Sequence, residues 1–221
     1  LRGVPSPQDW ARQAQAMGHD SMALTDTNHT GGLILFLEEC KRLSVKPILG
    51  VHLLNEHDPE DSLTLLARNM KGYSKLCGMT SQYMLHHRED ESFEMSTLIA
   101  QYLVQANDPT DDPPINDHLI VFSSSLKTLK RLFQVLEKDS EMKIPLYAEL
   151  ISQCPSSRKR SREVLRWAQE YRVQLLATNA NYFIHSQTHE VHQVMRAIHA
   201  NSSIQQLNPF EVAPQGAWMK E

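Results

Sequence analysis

The sequence has few cysteines, no long apolar run and no excess of basic residues. Three cysteines occur in 221 residues, and none forms a CxxC pair. An odd, scattered set of thiols argues against a disulfide scaffold and predicts a reduced, cytoplasmic protein. No run approaches the roughly 18 apolar residues that span a bilayer, which predicts no membrane partner. With 22 basic and 26 acidic residues, the net charge of −4 excludes a globally basic nucleic-acid-binding chain.

Common motifs of nucleotide-binding and hydrolytic enzymes are also missing. The sequence contains no GxGxxG, GxxxxGK or GxSxG, which removes the simplest dinucleotide, P-loop and serine-hydrolase hypotheses. A nucleophile at Ser124 or Ser125 would need a histidine and an acid that the sequence alone does not place beside it. The chain starts at Leu1 rather than methionine, shows no signal peptide and ends at Glu221 without a helix stop, so we expect a piece of a longer protein.

Short apolar runs alternate with amphipathic segments, which indicates an α/β protein. Strands are predicted over residues 21–25, 47–54, 62–67, 118–122, 144–150 and 174–178. Helices are predicted over residues 7–17, 33–43, 72–86, 95–105, 126–136, 161–171 and 189–199. This alternation predicts a parallel sheet covered by helices, either open or closed into a barrel. The proline- and aspartate-rich residues 107–117 predict an exposed insertion loop within a single domain spanning residues 1–221.

Polar side chains follow several strands, where α/β proteins place their sites. These residues are Asp26, Asn28 and His29 after the first strand, His52 in the second, Ser123, Ser124 and Ser125 after the fourth, and Thr178, Asn179 and Asn181 after the last. Asp26, His29 and His52 are strong enough ligands for one zinc or manganese ion, which would make hydroxide for phosphoester hydrolysis. The alternative is a rim whose polar groups are satisfied within the protein.

Two further clusters have both a functional and a structural interpretation. His189, His192 and His199 share one predicted helix, but without an HExxH motif we favour helix packing or exposure over metal binding. The basic run from Ser156 to Arg162 is either a patch for nucleic acid or a partner, or a solvated helix start. No aromatic residue interrupts this run, so it does not indicate single-strand stacking.

Six segments, in order, resemble the PHP (polymerase and histidinol phosphatase) domain at the amino terminus of the bacterial DNA polymerase III alpha subunit, with the error-prone branch most similar. They are LRGVPSPQDWARQAQAMGHDSMALTD, VKPILGVHLL, SLTLLARNMKGYSKLCGMTS, LIVFSSSLK, YAEL and VQLLATNANYFIHSQTHEVHQVMRAI. The resemblance implies an α/β fold, a distorted (β/α)7 TIM-like barrel of the PHP type. In active members it also implies a metal cluster at the carboxyl ends of the strands.

The ligand motifs of that family are altered here. The family's HxH would precede Leu1, and Asp26 persists from its TDH motif. The other ligand positions hold Thr27 for histidine, His52 for glutamate, Ser62 for histidine, Ser125 for cysteine, and Ala180 and Tyr182 for the closing aspartate and histidine. We therefore predict no catalytic residue, no metal ligand and no cofactor in this domain, with its binding residues unknown. Zinc or manganese is expected only if a residual site around Asp26 and His52 works.

The resemblance implies a catalytically silent, structural domain of a DNA-directed DNA polymerase acting in replication or translesion repair synthesis. Magnesium and the nucleotidyl-transfer chemistry would belong to a downstream polymerase domain. The implied partners are that polymerase part, other replication or repair subunits, and DNA bound through the parent protein. One alternative is a metal-dependent phosphoesterase or proofreading exonuclease of the PHP superfamily. Another is an interaction module, with Arg158 to Arg162 and the acidic residues 108–117 as its surfaces.

Overall fold

The structure is a computed structural model that describes residues 3–55, 57–86, 118–138, 145–208 and 212–220, with residues 96, 98, 99 and 103 in addition. The predicted insertion loop at 107–117 lies outside the described residues. Of the helix predicted at 95–105, four residues are described, and all four are helical. Among the described residues, no helix is both long and apolar enough to cross a membrane.

Six strands and six labelled helices make up the described fold. The strands are β1 (Ser21–Thr27), β2 (Lys46–Leu54), β3 (Ser62–Ala67), β4 (Leu119–Ser123), β5 (Leu146–Ile151) and β6 (Gln174–Thr178). The helices are α1 (Pro7–Ala16), α2 (Leu33–Leu43), α3 (Met70–His86), α4 (Leu126–Lys138), α5 (Pro155–Glu170) and α6 (His189–His199). Short 3-10 turns lie at Ser186–Thr188 and Ile204–Gln206.

Helix starts follow from local sequence. At α1, Ser6 and Asp9 form a capping box, with the Asp9 amide 3.2 Å from the Ser6 hydroxyl and Pro7 in the first turn. The prediction for α5 was wrong at its start, because the helix begins at Pro155 rather than at residue 161. Proline fits the first helical turn, where its missing N–H has no helical partner to lose. The basic run is therefore part of the helix.

The sheet has strand order β1-β2-β3-β4-β5-β6. The pairs β1/β2, β4/β5 and β5/β6 are parallel, whereas β3 is antiparallel to both of its neighbours. The prediction of a parallel sheet was therefore wrong for β3. Only a short connection without a helix joins β2 to β3, and a parallel return needs a longer crossover.

The predicted α/β class of the distorted TIM-like type is confirmed, with the six strands forming a curled sheet. Among the described residues six strands are present where the resemblance implied seven, and β6 is not paired with β1. The two end strands thus remain edges of the described sheet.

The convex face of the sheet packs against the helices. Val51, Leu53 and Leu65 are fully buried in one core cluster with Met79 and Tyr83 of α3. Burial of each such aliphatic side chain stabilises the fold by roughly 1.5–3 kcal/mol. Further clusters place Leu24 of β1 under α1 and α2, and Ala148 of β5 under α5.

The concave face follows from strand pairing, because paired residues point to the same side of a sheet. Thr27 pairs with His52, His52 with Thr64, Thr64 with Phe122, and Phe122 with Tyr147. These five residues form one layer across five strands, on the face opposite Val51 and Leu65. The family positions at Thr27 and His52 therefore do lie on the inner side of the sheet.

Candidate functional site

Asp26 holds the turn between β1 and α2. Its Oδ2 accepts a hydrogen bond from the Gly32 amide at 3.0 Å, one residue before the helix starts. A Cβ at Gly32 would collide with this carboxylate, so glycine lets the two groups meet. His29 Nδ1 lies 3.7 Å from the same oxygen and accepts from the Gly31 amide at 3.2 Å, with its side chain 63% exposed. The carboxylate thus stabilises a turn at a helix N-terminus.

Asn28 extends the pairing of β1 with β2 beyond the last backbone pair. It adopts a left-handed backbone conformation with φ 61°, which asparagine tolerates better than most residues. Its Oδ1 accepts from the Leu54 amide at 2.8 Å, and its Nδ2 donates to the Leu54 carbonyl at 2.9 Å. The hydroxyl of Tyr83 donates to that carbonyl at 2.7 Å. The side-chain amide therefore acts as one more peptide group of the strand.

The register of β1 against β2 separates the two predicted ligands Asp26 and His52. Asp26 pairs with Val51, and the next residue, Thr27, pairs with His52. Successive residues of a strand point to opposite faces, so Asp26 lies on the convex face and His52 on the concave face. The structure therefore does not bring them together as a metal site. His52 Nδ1 instead lies at hydrogen-bonding distance, 3.0 Å, from the Thr64 hydroxyl.

Serines occupy the rim near β3 and β4, and the hydroxyl groups of Ser123 and Ser125 make hydrogen bonds to the backbone. The Ser123 hydroxyl donates to the Ser62 carbonyl at 2.6 Å, and the Ser62 amide donates to the Thr128 hydroxyl at 3.2 Å. The Ser125 hydroxyl donates to the Glu60 carbonyl, which also accepts from Thr128 at 3.0 Å. These bonds join the start of β3 to the start of α4. Of the two family positions, Ser125 holds the backbone through its hydroxyl, and Ser62 takes part through its backbone amide and carbonyl.

Glu149 is a buried carboxyl that the sequence argument did not single out. It is 7% exposed on β5 and accepts a hydrogen bond from the Thr178 hydroxyl at 2.5 Å. Burial raises the pKa of the Glu149 carboxyl, and the bond from Thr178 offsets part of that rise. An acidic residue inside the otherwise apolar strand LYAELI is the sequence feature by which Glu149 could have been identified.

The residues after β6 anchor the last described segment. Asn179 Nδ2 donates to the Trp218 carbonyl at 2.7 Å, and the Lys220 ammonium donates to Asn179 Oδ1 at 3.0 Å. Asn181 Oδ1 accepts from Asn179 at 2.5 Å. The Tyr182 amide donates to the Ala217 carbonyl at 2.8 Å, while the Tyr182 carbonyl accepts from the Val4 amide at 2.9 Å. The predicted polar residues Asn179 and Asn181 thus have structural partners.

Two histidines of α6 also bind the last described segment, residues 212–220. His189 Nε2 lies 3.0 Å from the Ala213 carbonyl, and His192 Nε2 accepts from the Ala213 amide at 2.9 Å. Both rings pack against Phe183, with centroids 5.7 and 6.0 Å away. His199 is exposed at the end of the helix. The prediction of helix packing is confirmed for His189 and His192, and that of exposure for His199.

Within the part of the chain that the structure describes, no group of three or more His, Cys, Asp or Glu side chains is placed to hold a metal ion. Asp26 and His52 point to opposite faces, Ser62 offers a hydroxyl in place of an imidazole, and the Ser125 hydroxyl donates to the Glu60 carbonyl. Hydroxyl groups in these bonds are poor substitutes for the imidazole and thiolate that bind zinc. The described donor set therefore does not fit the metal cluster that the fold family implies.

Comparison with known proteins gives relatives of two kinds. The DNA polymerase III subunit alpha of Deinococcus radiodurans is 24% identical over 230 residues, covering 91% of this chain and 16% of that protein. The corresponding subunit of Vibrio cholerae is 28% identical, covering 89% of this chain and 17% of that protein. An error-prone DNA polymerase of Pseudomonas fluorescens is 27% identical, covering 50% of this chain and 11% of that protein.

The chain therefore spans about a sixth of the length of the polymerase III subunits that it matches. Replicative and error-prone polymerases both occur among the relatives, so similarity to the error-prone branch in particular stays a prediction. The family model of the PHP domain matches residues 1–139, which is more than half of the chain. The chain belongs to the PHP domain family.

Proposed function

We propose that this chain is the PHP domain of a DNA polymerase III alpha-type DNA-directed DNA polymerase, and that the domain is structural and carries no phosphoester chemistry. The polymerase assignment is supported by relatives that match almost the whole chain. Nucleotide addition, its magnesium, DNA binding for synthesis and contacts with replication or repair subunits would belong to the parent protein. The cytoplasm is the expected location for this role.

The observation that carries the silent role is the use of the family's ligand positions as structural groups. His52 is bonded to Thr64 across the concave face, and the Ser125 hydroxyl, just before α4, donates to the Glu60 carbonyl just before β3. Asp26 points to the other face and caps a turn. A metal cluster needs several ligands converging on one point, and the loss of two or more weakens binding steeply.

Metal content and metal-dependent stability test the silent role together. The purified chain is dialysed against trace zinc and manganese and analysed for bound metal, and its melting temperature is measured with EDTA or 1 mM Mn²⁺. We expect less than about 0.1 metal per chain and no change in melting temperature. A site with a micromolar Kd would instead stabilise the fold by about 4 kcal/mol at millimolar metal, which is roughly 8–16 °C for a domain of this size.

His52→Ala is the informative variant, and His29→Ala is its matched control. Both replace a histidine near the same rim, but His29 is 63% exposed on the loop after β1. One tightly held metal that is lost in His52→Ala would overturn the proposal, and its retention or loss in His29→Ala would show whether the exposed histidine is also a ligand. Hydrolysis of a model phosphoester would then be assayed, since the phosphoesterase or proofreading alternative would have gained support.

The polymerase assignment has a separate test in the gene itself. Sequencing the reading frame around this chain should reveal a downstream polymerase domain with carboxylates able to bind magnesium. A reading frame that stops shortly after residue 221 would contradict the assignment and favour a free-standing interaction module.

A further inference from the structure

The exposed side of α5 carries a row of cations. Arg158, Lys159, Arg162 and Arg166 are all exposed, and we call them the basic face. At 100° per residue they fall within about 100° of the helix circumference, and from first to last they extend about 12 Å along the axis. Arg160 lies outside this sector. The whole chain has a net charge of −4, so the basic face is a local concentration of positive charge.

The basic face points away from the protein. The buried residues of α5 are Val164, Trp167 and Ala168, which lie on the opposite side of the helix and pack in the cluster that contains Ala148. Because the buried and basic sides are opposed, the long basic side chains extend into solvent. They remain accessible to any partner that approaches the outside of the sheet.

The cations of the basic face are not held in close ion pairs, although the exposed acids Glu163 and Glu170 lie on the same helix. Among the described residues, none of the four forms an ion pair within 4 Å. Elsewhere the protein does pair its exposed cations, for example Arg12 and Arg42 with Glu39 at 2.8 and 2.7 Å. The basic face also lies near the N-terminal end of α5, where the helix dipole adds positive potential. An anion would therefore meet guanidinium and ammonium groups that no ion pair within 4 Å occupies.

We propose that the basic face of α5 binds the phosphate backbone of double-stranded DNA. Arg158, Arg162 and Arg166 recur every four residues, about 6 Å apart, and form a linear array rather than a pocket. A duplex carries one charge per about 1.7 Å of its axis, so an array of about 12 Å spans several phosphates. Contacts of this kind position a protein on DNA without reading its sequence.

A duplex fits this surface better than a single strand. Single-stranded nucleic acid is held by aromatic side chains on which bases stack, alongside positive charge. On α5 the aromatic residue Trp167 lies on the buried side, and its rings interact with Phe133 and Tyr171 instead. The choice of DNA over other polyanions rests on the proposed function, whereas the arrangement of charge does not.

The expected binding is weak and strongly dependent on salt. Each phosphate contact contributes about 0.9 to the slope of log K against log salt, so four contacts give a slope of about −3.6. This corresponds to a Kd of a few micromolar at about 25 mM salt and a few hundred micromolar at about 100 mM. Fluorescence anisotropy of the 221-residue chain with a labelled duplex of about 20 base pairs, from 20 to 200 mM salt, measures both values.

Arg162→Ala/Arg166→Ala tests the basic face, and Lys41→Ala/Lys46→Ala is its matched control. Each double variant removes two exposed cations, but the control pair lies at the end of α2 and the start of β2. We expect the basic-face variant to bind at least about 100-fold more weakly at 25 mM salt and its slope to fall by about 1.8. The control should retain the parental slope, and circular dichroism should show both variants folded.

Several outcomes would overturn the inference. These are no duplex binding by the parental chain at 25 mM salt, an equal loss in the control variant, or binding of a single strand as tight as that of the duplex. Binding of polyaspartate but not of DNA by the basic face would indicate that its partner is an acidic protein instead. None of these results bears on the metal measurements, so the inference fails separately from the silent structural role. Likewise, a metal found in the domain would leave the basic face untouched.

Discussion

Replacing Asn28 with alanine removes a side chain that pairs with both backbone groups of Leu54. The Leu54 amide, 2.8 Å from Asn28 Oδ1, loses this acceptor inside the protein. The Leu54 carbonyl keeps its bond from the Tyr83 hydroxyl at 2.7 Å, so most of the cost comes from the amide. A buried donor without a partner costs about 1–3 kcal/mol.

The backbone adds a second term to this cost. Asn28 has φ 61°, and alanine in the left-handed region is less favourable by about 1 kcal/mol. We therefore expect Asn28→Ala to lower the free energy of unfolding by about 2–4 kcal/mol, which lowers the melting temperature by roughly 6–12 °C at the centre of that range. Asn28→Gly removes the same hydrogen bonds without the backbone term, so it should cost about 1 kcal/mol less.

Urea unfolding followed by circular dichroism measures these differences, and Asn201→Ala is the matched control. Asn201 also has a left-handed backbone, with φ 49°, but it is exposed. Its side chain makes no hydrogen bond to another described residue. Its replacement should cost only the backbone term. If Asn28→Ala is no more destabilising than Asn201→Ala, the side-chain pairing does not stabilise the rim, and Asn28 becomes a candidate functional group again.

Two further predictions concern titratable groups. Because burial raises the pKa of Glu149, folded-state stability should fall as pH rises from about 4.3 through that raised pKa. Glu149→Gln should remove the fall in melting temperature between pH 4 and 8, and equal slopes would contradict the argument. Burial raises the pKa of the Cys154 thiol, but hydrogen bonds from Ser156 and Ser157 outweigh this effect and lower the pKa to about 7. Iodoacetamide at pH 7 should therefore label Cys154 before Cys40, whose pKa burial raises, and mass spectrometry that finds equal rates would refute this.

The strands and helices were largely predictable because apolar spacing reports which residues face the core. The last strand was predicted at residues 174–178, as observed, and the first was predicted at 21–25 and continues to Thr27. The antiparallel direction of β3 was not predictable from its composition. Its sequence SLTLLA suits a strand of either direction, and the connection that precedes it decides the direction.

The candidate site was predictable in its position but not in its geometry. Sequence placed Asp26 and His52 at strand ends, yet only the register shows that they point to opposite faces. A shift of one residue would reverse that result, and no local signal sets the register between strands 20 residues apart. The same is true of two hydrogen bonds between segments distant in sequence. Thr178 donates to Glu149, and the Ala213 amide donates to His192.

The backbone of Tyr182 binds residues from both ends of the described chain, the amide of Val4 and the carbonyl of Ala217. The two ends therefore lie side by side. Domains with adjacent ends tolerate circular permutation and insertion into loops of other proteins. A short linker from Lys220 to Gly3 would close this domain into a ring, and a new opening in a surface turn would leave its strands in the same spatial order.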